Sequence, residues 1–262
     1  MIPDHAGVDE ICPSPNHTER RDGLRPDMLI LHYTGMGTGE AAMRWLCAPE
    51  SEVSCHYLVH EDGRIVQMVP EERRAWHAGA GSWRGRDDIN SRSIGIEIVN
   101  VGHGNGYPDF PAAQIDAVTR LCADCVARWA IRPEFVLAHS DVAPARKSDP
   151  GEKFPWLQLF SAGIGHAVDP APLRGGRYFG LGDRGEPVAA YQSLLAAYGY
   201  GVPCDGTFDD ATRQATVAFQ RHFRQERGDG IADASTIETV HRLLTSLPRS
   251  PFDPDESATT GV

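Results

Sequence analysis

Apolar residues in this chain follow three rhythms, each predicting a different element. The first is the unbroken run: Met28 to Thr34 reads MLILHYT and stops at Gly35 and Gly37, the signature of a strand buried on both faces. The second is alternation. Ser93 to Val99 (SIGIEIV) sets Ile94, Ile96 and Ile98 on one face and Gly95, Glu97 and Val99 on the other, as a strand does. Between these, His56 to Val69 gives two strand-like runs around Asp62-Gly63, a hairpin signal. The third is three-four spacing: Ile115, Val118, Leu121, Cys122 and Val126 predict a helix over residues 112–130. Residues 39–48 suit another helix, and Phe135 to Ala138 a short strand that leads into a polar loop through Gly151. Residues 1–27, rich in Pro, Asn, Asp and Arg, read as an irregular lead-in. The mixture predicts an α/β domain, a mixed central β-sheet flanked by helices.

From Ser161 to Gly182 the chain is dense in Gly and Pro without periodicity, which marks a linker. Beyond it Val188, Tyr191, Leu195 and Tyr198 form one helical stripe. A weak repeat follows: DGTFDDAT at 205–212 matches DGIADAST at 229–236 at four of eight positions. Each copy offers an Asp-Gly turn and then an Asp suited to cap a helix. The boundaries are therefore a first domain at 1–165, a linker at 166–182, a small three-helix domain at 183–247 and a polar, disordered tail at 248–262.

A length of 262 residues suits two unequal domains. No apolar run approaches the roughly eighteen residues of a membrane span. A net charge of −11 without a basic block argues against nucleic acid as a partner. The start MIPDH has no basic segment before an apolar stretch, so no secretory signal is visible. Six cysteines are scattered, and the one close pair, Cys122 and Cys125, falls on the apolar stripe of a predicted helix as core thiols. Free thiols and the N-terminus point to a cytoplasmic protein; removal of a leader would place it in the periplasm or outside the cell.

The candidate chemistry gathers at strand ends. His32 ends the first strand, Glu97 lies near the end of the alternating one, and His139 follows the short strand. Open α/β sheets collect ligands outside strand carboxyl ends, although a lone histidine there is more often a hydrogen-bonded structural residue. The loop after His139 holds Lys147 and Asp149 before Pro150, two apart in extended chain and facing the same way. Alone they read as a surface salt bridge. Together with His32 and His139, Asp149 completes two histidines and a carboxylate, the set that holds catalytic zinc with a position left for water. Glu97, on an otherwise apolar strand, is costly to bury without a partner or a task, and it is the candidate proton shuttle; the other reading points it outward.

The stretches SPNHTERR (14–21), LILHYTG (29–35), SCHYLVHEDGRIVQMVP (54–70), WHAG (76–79), SIGIEIVN (93–100) and HSDVAPARKSDPG (139–151) resemble, in order, the type 2 N-acetylmuramoyl-L-alanine amidase family over roughly residues 12–165. The resemblance implies one Zn²⁺ ion held by His32, His139 and Asp149. It implies Glu97 as general acid/base, Lys147 as stabiliser of the oxyanion, and Trp76, His77 and Asn100 near the substrate groove. The implied reaction is hydrolysis of the amide between N-acetylmuramic acid, or its anhydro form, and the L-alanine of the stem peptide, in peptidoglycan recycling or turnover. Some relatives called peptidoglycan recognition proteins have lost the third ligand and become receptors, whereas Asp149 is present here. Cys55 stands where many relatives have alanine or glycine, and reads as a small buried residue. GDRGEPVAAYQSLLAAYGY (182–200), the DGTFDDAT turn and AFQ (218–220) resemble the peptidoglycan-binding three-helix module. Two further readings share these residues: a non-catalytic muropeptide sensor, and a zinc peptidase acting within the stem peptide. With every chemical residue before the linker, residues 1–170 are expected to fold and act alone on soluble muropeptides.

Overall fold

The computed structural model describes residues 2–176 and 178–247; the tail expected to be disordered lies outside them. In chain order the strands are β1 (Glu10–Ile11), β2 (His17–Glu19), β3 (Met28–Tyr33), β4 (Tyr57–Val59), β5 (Ile65–Gln67), β6 (Arg73–Ala75), β7 (Ser93–Ile98) and β8 (Val136–Ala138). The α-helices are α1 (Gly39–Cys47), α2 (Ile89–Arg92), α3 (Ala112–Trp129), α4 (His139–Val142), α5 (Trp156–Ser161), α6 (Glu186–Tyr198), α7 (Asp210–Phe223) and α8 (Ala234–Ser246).

Six strands form a mixed sheet of order β1-β5-β4-β7-β3-β8, in which only β4 and β5 run antiparallel. The apolar run β3 sits between β7 and β8, which is why Met28, Leu29, Ile30 and Leu31 are all fully buried. Helix α3 lays Ile115, Val118, Leu121, Cys122 and Cys125 into the core, and it packs across β3, β4 and β7. The lead-in departs from its expected irregularity. Its polar residues form β1 on the edge of the sheet beside β5, and β2 in a separate pair with β6; the partners supply the pairing that the composition conceals.

The repeat in the second domain is one device used twice. Asp209 accepts from the Thr212 N–H at 2.9 Å and Asp233 from the Thr236 N–H at 2.7 Å, capping α7 and α8. A buried glutamine clamps each Asp-Gly turn: Gln192 accepts from the Gly206 N–H and Gln220 from the Gly230 N–H, both at 2.8 Å.

The segment expected to be a linker is strapped to the helices. His166 bonds the Tyr198 hydroxyl at 2.9 Å and the Ser246 hydroxyl at 3.0 Å, and Ala171 is tied to Ser235 and Thr239. Across the seam, Trp83 of the first domain is fully buried against Tyr198 and Tyr200. Gly199 makes room for it: a Cβ there would lie 2.5 Å from the indole. Residues of both domains thus belong to one continuous core.

Candidate metal centre and cleft

His32 and Glu97 are partners in register on the neighbouring strands β3 and β7, so their side chains leave the same face of the sheet. His139 opens α4 directly after β8, and the loop beyond it returns Asp149, whose carbonyl accepts from the Ser140 N–H at 3.1 Å. The Asp149–Pro150 peptide is cis. Three side chains expected to meet therefore do so. His32 Nδ1 and His139 Nδ1 are 2.9 Å apart, and each lies 3.0 Å from Asp149 Oδ2. All three residues are buried.

The surrounding hydrogen bonds fix what those atoms carry. Ser93 Oγ–H donates to the Ile89 carbonyl at 2.6 Å, which uses its only proton. Ser93 must then accept from His77 Nε2–H at 3.1 Å, which leaves His77 Nδ1 bare to accept from His32 Nε2–H at 3.0 Å. His139 Nε2–H donates to the Ala78 carbonyl at 3.0 Å. Both Nδ1 atoms are consequently lone pairs, aimed at each other and at a carboxylate oxygen. Burial, the largest cause, lowers the His32 pKa to about 4, which keeps the ring neutral. Three electron-rich atoms converging without a proton between them fit a cation, and two histidines with one carboxylate suit a divalent ion of the zinc type.

This triad lies in a cleft of ≈380 Å³ that is also lined by Glu97, Lys147, His77 and Trp45. Glu97 Oε2 is buried and has no hydrogen-bond partner among the described residues. Burial and then the Asp149 charge push the Glu97 pKa well up, so the outward-facing reading of this residue is set aside. Lys147 is exposed at the rim. His77 does two things, lining the cleft and steadying His32, and it needs Gly95: a Cβ there would lie 2.4 Å from its ring. Trp76 and Asn100 are not among the residues lining the cleft. Trp76 is held through its backbone by Ser54, and the Asn100 side chain ties the Pro108 carbonyl to the Gly102 N–H. Cys55 is fully buried against Met68 and is not one of the converging ligand residues; burial, and then the charge of nearby Glu97, push its thiol up.

Sequence reasoning missed Ser93, Tyr33, Arg146 and Asp141. Tyr33 bonds Ser148 of the cleft wall at 2.9 Å. Arg146 donates to the Ala78 and Ala80 carbonyls, pinning the loop before Asp149. Asp141, fully buried, accepts from Ala138 N–H at 2.8 Å, Tyr200 O–H at 2.6 Å and His222 N–H at 2.6 Å. It thereby joins the helix carrying His139 to the second domain. The Gly at position 95, between two isoleucines, was the one available signal, because a strand interior spends a glycine where something approaches closely.

Comparison with known proteins adds to this geometry. Residues 22–152 match the N-acetylmuramoyl-L-alanine amidase family, and residues 184–240 match a peptidoglycan binding domain. N-acetylmuramoyl-L-alanine amidase AmiD of Escherichia coli is 40% identical over 236 residues, covering 84% of this chain and 83% of the relative. The 1,6-anhydro-N-acetylmuramyl-L-alanine amidase AmpD of the same organism is 37% identical over 164 residues, 56% of this chain and 87% of the relative. Among solved structures, E. coli AmiD in complex with anhydro-N-acetylmuramic acid-L-Ala-D-gamma-Glu-L-Lys superposes with a TM-score of 0.72 at 39% identity, covering 84% of this chain and 89% of that one. AmpDh3 from Pseudomonas aeruginosa in complex with anhydromuramic pentapeptide gives 0.69 at 33% identity, covering 88% and 96%.

Proposed function

The chain belongs to the N-acetylmuramoyl-L-alanine amidase family, and from that membership we propose that it is a zinc-dependent hydrolase of the amide between anhydro-N-acetylmuramic acid and the L-alanine of the stem peptide. The observation that carries the reading is the convergence of His32 Nδ1, His139 Nδ1 and Asp149 Oδ2 beside the unpartnered carboxylate of Glu97. A sensor would need the cleft but has no use for a carboxyl oxygen buried there without a hydrogen-bond partner among the described residues.

His32, His139 and Asp149 would hold the ion, which when bound supplies a Lewis acid and lowers the pKa of water. Glu97 takes a proton from the attacking water and returns it to the amide nitrogen as that nitrogen leaves; its raised pKa suits a group that must hold the proton between those events. Lys147, at the rim of the same cleft, offers positive charge where the carbonyl oxygen becomes negative. His77 and Ser93 keep His32 in the tautomer that presents Nδ1. The products are a free L-alanyl amine and a sugar lactyl carboxylate. Mass spectrometry after incubation of the zinc-loaded protein with soluble anhydro-muropeptides and with sacculi tests this. Stem peptides cleaved internally, with L-alanine still on muramic acid, would overturn it in favour of a peptidase.

A further inference from the structure

The six cysteines, scattered in sequence, sort in space into three classes. Cys55, Cys122 and Cys125 are buried, and Cys204 is exposed on the second domain. Cys12 and Cys47, 35 residues apart, bring their sulfurs to 3.1 Å. Both are half-buried, so the pair can be reached from solvent.

We propose that Cys12 and Cys47 are a redox-modification site: a thiol pair that closes to a disulfide on meeting a small-molecule or protein disulfide. The backbone on both sides is already held for it. Ser14 Oγ–H donates to the Leu46 carbonyl at 2.5 Å, and the Asn16 amide donates to the carbonyls of Ala48 at 2.8 Å and Val53 at 3.0 Å. These bonds lock the segment after β1 to the end of α1, so the sulfurs need close by only about 1 Å to reach bonding distance. Burial and the hydrogen bond to Cys12 raise the Cys47 pKa, which keeps the resting pair as thiols until a donor arrives.

The chemistry balances without further reagents. One thiolate attacks a sulfur of the donor disulfide and expels one donor thiol. The second attacks the resulting mixed disulfide and expels the other. Two electrons and two protons pass to the donor, and one intramolecular S–S bond forms.

The position gives the bond a consequence. Trp45, Leu46 and Val53 line part of the wall of the cleft that holds the histidines, and they lie within the stretch that Cys12, Ser14 and Asn16 staple down. In an oxidising compartment the closed pair pins that wall to the sheet edge; in a reducing one it stays open. Nothing in this site requires the amidase reading.

Oxidised glutathione added to the full chain tests the proposal. The intact mass should fall by about 2 Da as a disulfide closes, and free thiols should drop from six to four. Peptide mapping should give a Cys12–Cys47 crosslink reversed by dithiothreitol, and the thermal midpoint of the oxidised form should rise by about 5 °C or more. Cys12→Ser should abolish both the mass loss and the shift; if Cys47→Ser folds, it should do the same. Six thiols persisting after oxidation, or a stable glutathione adduct on Cys12 or Cys47 in place of the crosslink, would each overturn it. Mapping on the unmutated protein decides the matter even if a serine variant fails to fold.

Discussion

Two acidic side chains sit on or beside the elements that carry the metal triad, Asp141 two residues after His139 and Glu97 in register with His32, and the protein treats them in opposite ways. Asp141, at the seam between domains, receives three hydrogen bonds from Ala138, Tyr200 and His222. Glu97, lining the cleft, keeps one buried oxygen with no hydrogen-bond partner among the described residues. A satisfied buried charge fixes a structure, whereas an unsatisfied one costs stability and persists where the cost serves another purpose. The contrast separates residues that hold the site from those that act in it.

The pair of amide substitutions is the strongest way to break that contrast. Glu97→Gln should lower turnover on anhydro-muropeptides by roughly 10²-fold or more, the usual worth of a positioned acid/base. Zinc content should be unchanged, and stability should hold or rise because a buried uncompensated carboxylate is gone. Asp141→Asn should show the reverse split. The amide cannot accept from three donors as a carboxylate does, so unfolding should become easier by about 1–3 kcal/mol with a smaller loss of turnover. Kinetics beside urea denaturation reads both. A Glu97→Gln protein with near-native turnover, or an Asp141→Asn protein that loses rate without losing stability, would exchange the two roles.

Ser93 sharpens the comparison one step away from the metal triad. Its hydroxyl anchors the relay through His77 that leaves His32 Nδ1 bare. Ser93→Ala frees His77 to carry its proton on Nδ1, which removes the acceptor for His32 Nε2–H. Zinc affinity measured by competition with a chelator should weaken by about 10-fold or more, as outer partners of metal ligands generally require. Ser93→Thr, which keeps the hydroxyl, should recover most of it. An alanine variant that binds zinc like the parent would show that the relay does not set the tautomer.

The sheet and the metal triad were legible because each rests on a short-range signal. MLILHYT is apolar without a break, SIGIEIV alternates, and the His-to-Asp loop carries its own spacing. The seam was not. Asp141, Tyr200 and His222 are separated by up to 81 residues, and none stands out from its neighbours. The Gly- and Pro-rich stretch after Ser161 therefore reads as a tether that would free residues 1–170 to work alone. Yet cutting there would bare Trp83 and strip Asp141 of two partners, so such a fragment should be markedly less stable than the full chain. The short strands β1 and β2 escaped notice for a related reason: their residues are polar, and only β5 and β6 make them strands.

The smallest effect expected concerns pH and lies beneath the cleft. His56 is fully buried; its Nδ1 accepts from the Gly95 N–H at 2.9 Å, and its Nε2 faces the Arg73 carbonyl at 3.0 Å. Protonation would set a second N–H against that of Gly95, beside the guanidinium of Arg20 at 3.2 Å. Burial, and then the Arg20 charge, accordingly lower its pKa to about 3. A histidine whose folded pKa is depressed binds fewer protons when folded than when unfolded, so its contribution to stability is complete above the unfolded value near 6.5 and is lost as pH falls toward 3. Within that window the loss from this one group approaches about 1.4 kcal/mol per pH unit. His56→Asn, which keeps an acceptor for Gly95 but cannot titrate, should be less stable at pH 7 yet show a flatter decline between pH 7 and 5. Urea denaturation of both proteins at matched metal loading measures the two slopes. Equal slopes would mean that the acid sensitivity of the fold arises from another group.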